Sequence, residues 1–144
     1  MRLRRLLLIF IALVFGGGVA HAQQTPISRY TRLTGNINFV ATGATLRSQD
    51  NNGNACAVTG SSTAPLTGIP GGASVVAAYL YWGGSGSAID SNVVLNGSGV
   101  IASRTFTANF NNGGTNFPYF GAFADVTSRV SGNGSFTFTG LTVN

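Results

Sequence analysis

The chain is 144 residues long and carries eight Arg, three Asp and one His but neither Lys nor Glu, for a formal net charge of +5. Hydrophobic residues make up 44 %, charged residues only 8 %, and 21 positions are Gly. This inventory excludes a Lys Schiff base and a Ser–Lys pair, and leaves His21 as the sole base for any Ser–His or Cys–His pair.

Met1-Arg2-Leu3-Arg4-Arg5 is basic, residues 6–15 are uninterruptedly apolar, and Ala20-His21-Ala22 has the small-x-small form read by signal peptidase. Residues 1–22 are therefore expected to be a secretory signal peptide, cleaved after Ala22, that sends the protein to the extracellular space or the cell surface. The rival reading, an uncleaved anchor, needs roughly 20 apolar residues, and the run ending before Gly16 is too short. No membrane span is expected in the mature chain.

Cleavage changes the chemistry. Three Arg and the only His leave with the leader, so the charge becomes 5 Arg minus 3 Asp, or +2. The basic balance is partly a property of the leader and gives no reason to expect a nucleic-acid partner. A surface of Thr, Ser, Asn and Gly, without Lys or Glu, suits an all-β protein and is poor material for exposed helices. The remaining 144 minus 22, or 122, residues are enough for one domain with a real core. Cys56 has no second Cys in the chain to bridge to.

Residues 23–29 are polar and expected to be mobile, and residues 30–144 form the expected domain. Residues 36–41 alternate, with Ile37, Phe39 and Ala41 inward in an expected strand. Residues 48–54 are a turn-rich loop, and residues 60–72, with Pro65 and Pro70, also read as loop. Residues 74–82 (Ser-Val-Val-Ala-Ala-Tyr-Leu-Tyr-Trp) are apolar on both alternating faces, which predicts a central strand covered on each side. Residues 83–87 read as a connection.

Asn96-Gly97 between two apolar runs signals a hairpin. From Val100 to Phe110 the even positions are apolar and the odd ones polar, a strand with one wet face and with Arg104 on the dry one. Residues 111–118 read as loop. Asp125 is placed to cap a single helical turn over residues 125–130. Phe136 and Phe138 are one residue out of phase with Leu141 and Val143, so a bulge or bend is expected at Gly140. The fold class is all-β: a β-sandwich, with a jelly-roll wrap as its expected form. The sequence stops at Asn144 in or just after a strand, and the domain is expected to continue in a longer protein.

Asp50, Asn52 and Asn54 place side-chain oxygens like the start of a calcium loop, but only one is a carboxylate and no Glu closes the site. Asx turns explain the same residues, and calcium is a weak candidate cofactor; no other is expected. Asp50, Asp90 and Asp125 each sit in turn or cap contexts, so no catalytic residue is assigned and the chain is read as a non-enzyme. Asn96-Gly97-Ser98 and Asn133-Gly134-Ser135 match a glycosylation sequon and read equally as turns. Trp82, beside a glycine pair, and Phe117 and Tyr119, near a turn, are the candidate ligand-binding residues, since aromatic faces near loops stack on sugars. A buried-core role is the competing reading for all three.

Ala78-Tyr79-Leu80-Tyr81-Trp82-Gly83-Gly84, Asn92-Val93-Val94-Leu95-Asn96-Gly97 and Phe123-Ala124-Asp125-Val126-Thr127 together resemble the N-terminal module of large bacterial secreted proteins that carry repeats of the type called domain of unknown function 11. The third segment also resembles one in galactose-binding-like jelly rolls, where it is structural. The resemblance, running from about Tyr30 to the end, implies a surface or adhesin-like role and supplies no catalytic residues. Two further readings stand beside it: a carbohydrate-binding module, and an enzyme whose catalytic residues lie beyond Asn144. The expected partners are surface glycans or other copies of the chain.

Overall fold

The computed structural model describes residues 28–50, 52–54 and 57–142; the expected leader, most of the polar segment after it, Cys56 and the last two residues lie outside these. Seven strands follow in order: β1 (Ser61–Leu66), β2 (Tyr79–Ser85), β3 (Asn92–Leu95), β4 (Ser98–Ile101), β5 (Arg104–Asn112), β6 (Thr115–Asp125) and β7 (Gly134–Thr139), with one 3-10 turn at Thr127–Arg129. They form two antiparallel sheets, β1-β7-β3-β4 and β2-β6-β5. The first strand pairs with the last and β2 with β6, while the β3–β4 and β5–β6 hairpins each stay within one sheet. The molecule is an all-β sandwich.

Alternation explains the core. Val93 and Leu95 of β3, Val100 of β4 and Phe136 and Phe138 of β7 face inward from one sheet. Trp82 of β2 and Phe120, Ala122 and Ala124 of β6 meet them from the other. The Asn96-Gly97 hairpin forms as its sequence signals, both residues taking positive φ (50° and 75°), which a two-residue turn between twisted strands requires. Asn96 then ties the hairpin to β7, accepting the Thr137 N–H through its side chain (2.7 Å). At Gly140 the chain bends with φ 81°, and the shift brings Leu141 against the core. Asp125 does not cap a turn over residues 125–130. The 3-10 turn spans only Thr127–Arg129, with Val126 at its N-cap and no side-chain cap. The Asp125 carboxylate instead accepts from the Thr127 N–H (3.0 Å) and hydroxyl (2.6 Å) in a local i to i+2 contact.

Several expectations are corrected. The apolar stretch 74–82 is not a central strand. Only its second half is in β2, which is the edge of its sheet, and the centre is β6. Period two shows which residues share a face but not whether a neighbour pairs on each side. Gly83 and Gly84, read as a connection, continue β2 to Ser85. Gly83 has to lack a side chain because a Cβ there would stand 2.7 Å from the Phe120 carbonyl oxygen. Residues 36–41 form no strand; among the described residues nothing pairs with that alternating stretch, and Phe39 is 85 % exposed. The expected loop 60–72 contains β1, whose small polar residues gave no apolar period but pair along their whole length with β7. The expected loop 111–118 is instead the tip of the β5–β6 hairpin, because Gly113 and Gly114 (φ 57° and 85°) turn the chain in two residues.

Candidate functional site

The β5–β6 hairpin sets the register of the outer face of the three-stranded sheet. With Asn112 opposite Thr115, Phe110 faces Phe117, Ala108 faces Tyr119, Phe106 faces Gly121 and Arg104 faces Phe123. On the other side of β6, Tyr81 of β2 faces Phe123 and Gly83 faces Gly121. Residues directly opposite in an antiparallel pair project to the same side. The even positions of β5, the odd positions of β6 and the odd positions of β2 therefore share one surface. The even positions of β6 supply the core, so this aromatic surface is the face turned away from it.

The two ends of that face differ. At one end Phe123 is only 2 % exposed. The Tyr30 ring stands edge-on to it at 4.8 Å, Tyr79 lies 5.4 Å away and Tyr81 4.9 Å away. Tyr30 also stands edge-on to Tyr79 at 5.5 Å, and the Arg104 guanidinium sits 4.9 Å from the centre of the Tyr30 ring. Tyr30 thus caps this end of the face. At the other end Phe106, Phe110, Phe117 and Tyr119 stay open to solvent, and Phe110 is 56 % exposed. The Phe110 and Phe117 ring centres are 6.4 Å apart. No charged residue lies on β5 after Arg104 or on β6 before Asp125.

Electrostatics follow the same division. Asp125 lies opposite Tyr79. The hydroxyl and then the N–H of Thr127 hold its carboxyl below the ordinary aspartate value, outweighing its desolvation, with a smaller contribution from Tyr30. Tyr79 is shifted up, first by desolvation and then by the negative charge of Asp125. Asp90 sits elsewhere. Desolvation raises its carboxyl, but the N–H groups of Thr142 (2.6 Å) and Asn92 (3.1 Å) more than compensate and bring it below its ordinary value.

The residues singled out in the sequence do not gather in one place. Phe117 and Tyr119 join the open aromatic end, though in a strand rather than a loop. Trp82 points to the opposite side of its sheet, 8 % exposed within the core, and its indole N–H donates to the Asp90 carbonyl at 2.9 Å. In the 49–54 loop, Asp50 Oδ1 accepts from the N–H groups of Asn52 (3.0 Å) and Gly53 (3.1 Å), while Gln49 Oε1 accepts from the Asn54 N–H (2.7 Å). The Asp50 bonds are those of an Asx turn, and the Gln49 bond closes the loop across it. Among the described residues no three His, Cys, Asp or Glu side chains come together, and no helix is long and apolar enough to cross a membrane.

Tyr30, Tyr79, Tyr81, Phe106, Phe110 and Phe123 are the participants that sequence reasoning did not single out. A signal for one of them existed. Reading Asn112-Gly113-Gly114-Thr115 as a two-residue hairpin puts Phe110 beside Phe117 at once. Comparison with protein-family models, curated proteins and solved structures gives no match to the chain.

Proposed function

We propose that the chain is a non-catalytic structural or adhesive module of a secreted or cell-surface bacterial protein, and that it adheres through the open end of the aromatic sheet face. The observation that carries the reading is the cluster of Phe106, Phe110, Phe117 and Tyr119, uncharged and solvent-facing on a rigid sheet. Contiguous apolar surface on a soluble domain marks an interaction site. Rigid aromatic side chains give large contact area for little conformational entropy. The scarcity of acid–base groups and the resemblance to adhesin-like modules support the same reading. The test compares cells that secrete the chain with cells that secrete the double variant Phe117→Ser/Tyr119→Ser. Retention on polystyrene should fall sharply at equal levels of secreted protein. Equal retention overturns the reading.

A second reading, a carbohydrate-binding module, is favoured by one feature: Phe117 and Tyr119 lie on one face of β6, beside Phe110, in a stretch with no charged residue between Arg104 and Asp125. Such a row suits the apolar faces of neutral sugar rings. Trp82, in the core, has no part in this version. A glycan array probed with the full chain and with the same double variant separates the two. Variant-sensitive binding to a defined neutral glycan favours the sugar reading, and adhesion without any glycan signal favours the first.

A further inference from the structure

The free edge of β5 differs from the other sheet edges. β1 carries Pro65, and β4 is four residues long with its Gly99 carbonyl taken by Arg129 Nη2 at 2.7 Å. β2 holds adjacent glycines that weaken it as a template. Proline, shortness and covering side chains are the usual means of blunting an edge. β5 has nine residues, no Pro and no charge beyond Arg104. Among the described residues nothing pairs with its outer side. Its only irregularity is at the start, where the Ser103 N–H reaches the Phe123 carbonyl (2.8 Å), next to the Arg104–Phe123 pair.

The hydrogen-bonding phase of this edge follows from the turn. The pair that closes a two-residue hairpin exchanges hydrogen bonds, so Asn112–Thr115 does, and with it every second pair back along β5. Pro118 agrees with that phase. It lies opposite Asn109, has no N–H to give, and turns its carbonyl toward the β2 side, where it accepts from the Gly86 N–H at 2.8 Å. The backbone groups of Thr105, Thr107, Asn109 and Asn111 therefore point away from β6, at the free edge.

We propose that β5 pairs with β5 of a second copy, antiparallel about a two-fold axis at Ala108, joining the two three-stranded sheets into one. In this register Thr105 stands opposite Asn111 of the second copy and Thr107 opposite Asn109, so every outward N–H and C=O finds a partner. Phe106 stands opposite Phe110 in a non-hydrogen-bonded pair, where Cα atoms approach to about 4.5 Å and side chains meet most closely. Arg104 falls opposite Asn112, and the two guanidinium groups lie at opposite ends. An axis at Phe106 or Phe110 leaves one Phe of each copy without an aromatic partner, and a shift of one residue sets Phe against Thr or Asn. The self-complementarity is specific to Ala108. The pairing also makes the aromatic faces of both copies continuous. It thus deepens the adhesive reading and rests on it only for its use, since the edge chemistry is independent of what the face holds.

Cysteine cross-linking tests the register on the purified full chain carrying Cys56→Ser. Ala108→Cys places two thiols across the axis within disulfide reach, whereas Asn112→Cys faces Arg104 of the second copy. Mild oxidation should give covalent dimer from Ala108→Cys and little from Asn112→Cys. Equal yields from both variants, or dimer from neither, overturn the proposal. By sedimentation, Ala108→Lys should weaken self-association by about tenfold through opposed like charges and lost pairing; an unchanged or absent monomer–dimer equilibrium also overturns it. These readouts in solution are separate from cell retention of the Phe117/Tyr119 variant, which leaves β5 intact, so either proposal can fail without the other.

Discussion

On the four-stranded sheet the outward positions of the paired β1 and β7 are small and hydroxylated. Thr63 and Thr137 stand opposite each other with their hydroxyls 2.9 Å apart, and Ser61 faces Thr139. On the three-stranded sheet seven outward positions are aromatic: Tyr79, Tyr81, Phe106, Phe110, Phe117, Tyr119 and Phe123. Both are outer faces of one sandwich with one shared core, and both derive from the same alternation. The difference shows that burial of the core does not explain the aromatics. More aromatic side chains sit on the outside of the smaller sheet than the inside of that sheet uses. One end of that surface is covered by Tyr30 and behaves as a second, local core, and the other end is left to solvent.

The largest expected effect separates these two faces. Phe123→Ala removes a buried ring from beneath Tyr30, Tyr79 and Tyr81 and should destabilise the fold by about 3–5 kcal/mol. Thr137→Val, on the hydroxyl face, should cost only about 1 kcal/mol, the worth of one hydrogen bond. Urea midpoints of the two variants measure the contrast, and equal values would mean that Tyr30 does not seal the aromatic end.

Gly83→Ala should come next. Its Cβ would meet the Phe120 carbonyl oxygen at 2.7 Å, so β2 has to move off β6, at about 1–3 kcal/mol as for other overpacked sites. The same measurement should show Gly97→Ala, where no atom lies within 4 Å but φ is positive, acting through backbone strain alone.

The smallest effect is on pH dependence. Asp90 and Asp125 have folded values below their ordinary 3.8, so their contribution is complete above that value and is lost as pH falls through the lower folded one. Tyr79 is shifted above its ordinary 10.0, so the folded state favours the neutral phenol. Its contribution is complete below 10.0 and lost as pH rises through the higher folded value. Thermal midpoints should be flat near neutral pH and fall at both extremes. Asp125→Asn should reduce the acid fall and also move the alkaline limb, because its charge is part of what raises Tyr79.

Local chemistry was the legible part of this protein. Asn96-Gly97 announced its hairpin, the phase slip at Gly140 its bend, and Asp125-Val126-Thr127 its turn, because each depends on residues within a few positions. The aromatic site was half legible. Phe117 and Tyr119 could be singled out, but Trp82 could not be told from them, since all three are aromatics near glycine or a turn.

The sequence by itself determined the all-β class, through its alternating runs and its lack of helix-filling Lys and Glu, and it determined which residues share a side of each strand. Only the tertiary structure decided which side is covered. The run ending in Trp82 became an edge rather than a centre, and the apolar stripe of β5 faced solvent rather than core. Residues 36–41 alternated without becoming a strand. A strand's period is a property of its own residues, whereas its neighbours and the layer above it come from segments tens of residues away.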